Sequence, residues 1–95
     1  MSRDDQLVML KHDLQRTQKF TAQDDYLLAL LDDAEAKISE EGIVLQDTVR
    51  DGMLQVNYAA YLYRKRADSE GVMPRSLRRS LNQRLLKQKG AADVT

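Results

Sequence analysis

The sequence has no cysteine, a single histidine, a single proline and only four glycines in 95 residues. Without cysteine there are no disulfides and no thiolate metal sites, which fits a reducing compartment. A lone histidine, His12, leaves no paired-histidine metal motif. A general base needs a nucleophile or second acid beside it, and a metal needs several ligands. His12 falls away from the leucines of its helix, so it is read as a solvated or capping residue. No glycine-rich phosphate loop and no nucleophile elbow is present. The expectation is a protein without catalytic activity, cofactor or metal.

Long apolar runs are also missing. None approaches the roughly 20 residues that span a bilayer. The opening Met1-Ser2-Arg3-Asp4-Asp5 turns acidic at once and starts no secretory signal. Synthesis in the cytosol, with no membrane partner, is expected. A chain of this length is one domain, and such domains bury only about 60–70% of their unfolded surface.

What the sequence has is charge, at 32% of residues, distributed unevenly around a formal net of zero. Residues 1–51 carry twelve acids against six bases, and residues 52–95 carry nine bases against three acids. Such a chain can pair its halves internally, or front to back between copies.

Apolar residues recur at helical spacing, and no stretch alternates over a strand length. The expected fold is all-α, a small bundle of about four helices near residues 4–16, 22–41, 47–67 and 74–89. Residues 1–90 would form the domain and 91–95 a flexible C-terminal tail. Leu7, Leu10 and Leu14 stripe the first helix. Thr21 is placed as the N-cap of the second, whose stripe is Leu27, Leu30, Leu31, Ala34 and Ile38. Gly42 sits where a left-handed cap would end it. The third helix has a main stripe of Val49, Met53, Val56, Ala60 and Tyr63. Gly52 within it costs about 1 kcal/mol relative to alanine, which indicates a break or a close helix crossing. Pro74 suits the first turn of the last helix.

Three groups of residues are candidates for function. The acids Asp24-Asp25 and Asp32-Asp33 could suggest a metal cluster. Asp25 and Asp32 are seven residues apart, however, so their side chains stand about 10 Å apart along the axis. A solvated face or an acidic protein-binding surface through Asp25, Asp32 and Asp33 is the better account. The third helix carries a second apolar set, Leu54, Tyr58, Tyr61 and Leu62, opposite the first. Either the helix is wrapped by the other three or another chain covers this face. The third group is basic: Arg64, Lys65 and Arg66, then Arg75, Arg78, Arg79, Arg84, Lys87 and Lys89 around a thin stripe of Leu77, Leu81 and Leu85. It can meet phosphates, dock on an acidic protein surface, or balance the protein's own acids.

The run Leu27-Leu28-Ala29-Leu30-Leu31-Asp32-Asp33-Ala34-Glu35-Ala36-Lys37-Ile38 resembles the long acidic helix of small head–tail connector (adaptor) proteins of tailed bacteriophages and prophages. Leu54 to Arg66, ending Leu62-Tyr63-Arg64-Lys65-Arg66, is similar to their next helix. Met73-Pro74-Arg75-Ser76-Leu77-Arg78, continued by Asn82, Arg84 and Leu85, resembles the start of their last helix. The resemblance spans residues 24–89. It implies a homo-oligomeric ring beneath the portal protein, bridging capsid to tail or head-completion proteins in the virion after assembly in the host cytoplasm. The packaged double-stranded DNA would pass through the ring, with non-specific contact as a further implied partner. Under this reading the second and third helices meet neighbouring copies. The basic last helix docks on the portal, and reversing Arg78 and Arg79 to glutamate blocks docking without unfolding the monomer. The alternative from another class is a small nucleic-acid-binding regulator using the last helix on the phosphate backbone. Against it stands a loop longer than a helix-turn-helix turn normally allows.

Overall fold

In a computed structural model the chain forms four helices, α1 (Arg3–Leu14), α2 (Asp24–Glu40), α3 (Val49–Ala67) and α4 (Arg75–Asp93). The structure describes residues 1–15, 23–67 and 72–93. No strand occurs among the described residues, and the fold is the small all-α bundle that the spacing predicts.

The boundaries follow from local chemistry. Ser2 caps α1 through its hydroxyl, which accepts from the Asp5 N–H at 3.1 Å. Acids Asp4 and Asp5 occupy the first turn and Lys11 and His12 the last, matching the helix dipole at both ends. The expected Thr21 cap lies outside the described residues. Gln23 is extended, so α2 begins at Asp24 rather than at residue 22. Gly42 ends α2 as expected, with φ +92 and its N–H donating to the Ser39 carbonyl at 3.0 Å.

Two other boundaries differ from expectation. α3 starts at Val49, because Thr48 caps it: the Asp51 N–H donates to Thr48 Oγ1 at 3.1 Å. α4 does not stop near Lys89 but continues through Gly90 to Asp93. Ala91-Ala92 are strong helix formers and offset the one glycine. The residues expected as a tail from 91 are thus partly helical.

The core is the α1–α2–α3 unit. Leu10, Leu14, Leu27, Leu30, Leu31, Ala34 and Ile38 are fully buried, as their stripes predict. α3 does not match its expected stripe. Val56 and Ala60 are buried, yet Met53 and Tyr63 are half-buried and Val49 is 69% exposed. Instead α3 turns Gly52, Gln55, Val56 and Ala59 inward. Gly52 marks a close approach, not a break: a Cβ there would stand 2.7 Å from the Met1 Cβ.

A buried polar chain runs through this unit. Gln6 Nε2 donates to the Gly52 carbonyl at 3.1 Å and to Gln55 Oε1 at 2.9 Å. Gln55 Nε2 donates in turn to the Leu31 carbonyl at 2.8 Å, and Arg3 donates to Gln6 Oε1 at 2.8 Å. One row of amides thus ties α1 to α3 and α3 to α2. Truncating Gln55 removes one of the two acceptors of the Gln6 amide and the side-chain donor to the Leu31 carbonyl, both in the core. Gln55→Ala is expected to lower the unfolding free energy by about 1–3 kcal/mol, measured by urea denaturation.

Candidate functional site

The residues singled out from sequence fall into three different situations. Leu54, Tyr58 and Leu62 are buried within the chain itself, in one cluster with Leu77 and Leu81 of α4. They are therefore not an exposed interface for a second protein. The chain covers this face because α4 folds back over α3, which makes α3 the central helix. Only Tyr61 stays half-exposed, edge-on to Tyr58 at 5.8 Å and beneath the Lys65 ammonium at 5.9 Å. Burial, with Glu41 nearby, pushes the Tyr58 hydroxyl pKa up.

The α2 acids are largely engaged inside the molecule. Asp32 pairs with Arg3 at 3.1 Å. Asp33 pairs with Lys37 at 3.4 Å and with Arg66 at 3.5 Å. Asp24 is paired to Lys11. Asp25 is exposed and accepts only from the neighbouring Tyr26 N–H at 2.9 Å. No group of three acid or histidine side chains among the described residues could hold a metal ion.

The basic residues divide into anchors and free cations. Arg84 is an anchor. Its Nε donates to Asp51 Oδ1 at 2.8 Å, and Nη2 donates to Asp51 Oδ2 at 3.0 Å and to the Val44 carbonyl at 2.9 Å. Both side chains are well buried, at 13% and 4% exposure. The Arg84 hydrogen bonds hold the Asp51 carboxyl below its usual range, against the opposing effect of burial. Arg78 makes a two-pronged pair with Glu41 at 2.7 and 3.2 Å. Gln88 completes the clasp, donating to the Gly42 carbonyl at 2.8 Å and accepting from the Val44 N–H at 2.7 Å. Arg64 reaches back to Asp13 at 3.1 Å. The inner side of α4 thus grips the loop between α2 and α3 and the start of α3.

Arg75, Arg79, Lys87 and Lys89 form no ion pair or hydrogen bond among the described residues. At 100° per residue, Arg75, Arg79, Asn82, Leu86 and Lys89 fall within an arc of about 80°. The stripe is about 21 Å long. Every one of these residues is exposed, and Leu86 sits among them at 69% exposure. Sequence spacing locates the cations and sets Arg78 and Arg84 beside the Leu77–Leu81–Leu85 stripe, but it does not give their partners. Which arginines are consumed internally depends on where Glu41, Asp51 and Asp13 lie after folding.

Compared with protein-family models, curated proteins and solved structures, the chain matches none. Its function is therefore argued from this surface and from the sequence resemblance alone.

Proposed function

We propose that this chain is a structural adaptor that docks through the outer stripe of α4 onto an acidic protein surface. Its specific role would be that of a head–tail connector subunit beneath a phage portal. The carrying observation is the pattern on α4: anchors point inward, while Arg75, Arg79 and Lys89 have no ion-pair partner among the described residues and surround an exposed leucine. Exposed cations ringing an apolar residue suit a protein partner, because the leucine gains burial and the charges choose the site. The phage assignment, with its ring of copies and its place in the virion, rests on the resemblance over residues 24–89.

The structure changes which residues test this reading. Reversing Arg78 would break its pair with Glu41, so Arg78 and Arg79 together do not separate docking from folding. Arg75→Glu with Arg79→Glu alters only exposed positions that form no ion pair among the described residues. The double variant is expected to melt within about 0.5 kcal/mol of the native protein. It is also expected to be lost from phage heads assembled with it as the sole copy. Normal incorporation would remove the docking role. Steeply salt-dependent binding of the native protein to duplex DNA, abolished by the same pair, would instead favour the nucleic-acid reading.

A further inference from the structure

α1 and α4 both flank α3, and a groove of about 640 Å³ lies open between α3 and α4. Its floor is apolar, with Val49 and Met53 one helical turn apart above the buried Leu54. Beyond them lie the exposed Asn57 and Ser80, which also line a second hollow reaching Asp13 and Lys65. The depression therefore runs on along α3. Its rim is basic. Arg50 and Lys87 stand at one end and form no ion pair among the described residues, though Lys87 lies near enough to Asp51 to favour its charged form. The acids in the depression, Asp51 and Asp13, are already engaged by Arg84 and Arg64.

The outer face of α1 has the opposite character. Asp4, Asp5, Val8, Met9 and His12 are all exposed, and Val8 is 55% accessible. At 100° per residue they occupy an arc of about 140°, turned away from the buried Gln6, Leu10 and Leu14. Asp4 and Asp5 lack ion-pair partners among the described residues. Val8 and Met9 follow one turn later. Two carboxylates followed by an apolar pair complement two cations followed by an apolar floor.

We infer that the α3–α4 groove receives the outer face of α1 from a second copy of this chain. Asp4 and Asp5 meet Arg50 and Lys87, and Val8 and Met9 cover Met53 and reach Asn57. A helix of 12 residues is about 18 Å long, and α3 from Val49 to Arg64 offers about 22 Å. The two surfaces are different and lie on one chain, so the contact is head-to-tail and can repeat into a ring or filament. The acidic front and basic back of the sequence meet here between copies, through α1 and not through the α2 acids. The contact rests on the connector reading only in expecting copies to meet in this way.

The absence of native cysteine allows a direct test. Met9→Cys and Asn57→Cys are made as separate single variants, mixed and mildly oxidised. The expected product is the mixed disulfide dimer, identified by mass, in excess over a control mixture of Met9→Cys with Ala36→Cys on α2. Arg50→Glu with Lys87→Glu, introduced into both partners, is expected to lower its yield at least about tenfold. Adding Asp4→Lys and Asp5→Lys to the same chains is expected to restore it. A mixed yield no higher than the control, or one indifferent to the charge reversals, overturns the contact. Should cross-linking fail while the Arg75/Arg79 variant is still lost from heads, this contact falls and the connector reading stands. A cross-link in a protein that never enters heads keeps the contact and removes the connector.

Discussion

Asp51→Ala is expected to destabilise the protein by about 3 kcal/mol, one of the largest losses available to any single polar substitution here. Asp51 accepts two hydrogen bonds from Arg84 and one from the Gln46 N–H at 2.8 Å. It also stands in the first turn of α3, where a negative charge is favourable. Removing it leaves a largely buried guanidinium facing no counter-charge. The Val44 carbonyl still accepts from Arg84, which keeps the loss near the lower end for a broken buried pair. The same pair sets an acid limit. Because the folded Asp51 pKa lies below its unfolded value, its contribution is fully present above the unfolded value. That contribution is lost as pH falls below about 4 and through the folded pKa. Arg84 moves in the opposite direction, its pKa raised, and stays charged throughout. Urea titrations between neutral pH and pH 3 should show a steeper acid loss in the native protein than in Asp51→Asn. Parallel slopes would mean that the pair contributes little.

Leu81→Ala is expected to remove about 2–5 kcal/mol, and to remove it unevenly. Leu77 and Leu81 are the only fully buried residues of α4 among those described, and Leu85 is half-buried. The rest of its attachment is polar: Arg78 to Glu41, Arg84 to Asp51, and Gln88 to the loop. The Arg78–Glu41 pair is exposed and contributes at most about 1 kcal/mol. Leu81 is thus the deepest of the three apolar anchors of α4. Hydrogen exchange should show α4 amides losing protection first, while α1, α2 and α3 keep theirs. Uniform loss across all four helices would show that α4 folds as one cooperative unit with the others. The distinction matters for docking, because an α4 that detaches carries the Arg75–Lys89 stripe away from the body of the protein.

Helix number, order and type were legible because apolar residues recur every three or four positions along each helix. α2 shows this most clearly, since its five stripe residues are the five that are buried. α3 leaves two readings open in sequence because it is packed on two sides, and periodicity does not rank two faces. Val49 is exposed and Met53 and Tyr63 pack only partly against the core, while Leu54, Tyr58 and Leu62, open in sequence to burial by the other helices or by another chain, are buried within this one. Gln6 and Gln55 gave no sequence signal at all. Their amides are buried because each finds its partners within the fold, on another helix except for Gln6 Oε1, which accepts from Arg3 of its own helix.

By itself the sequence determined the four helices, the Gly42 stop, the core leucines of α1 and α2, and the acidic front and basic back. These depend on local propensity and on spacing within one element, which a linear chain displays directly. Only the tertiary structure decided which charges remain free. Helical spacing sets Arg78 and Arg84 about 60° from the Leu77–Leu81–Leu85 stripe and Arg75 and Arg79 more than about 100° from it, but their partners appear only when Glu41 and Asp51 come within hydrogen-bonding distance across 37 and 33 residues of chain. Ion pairing depends on distance in space, and helical spacing tells which face a cation is on but not which acid meets it.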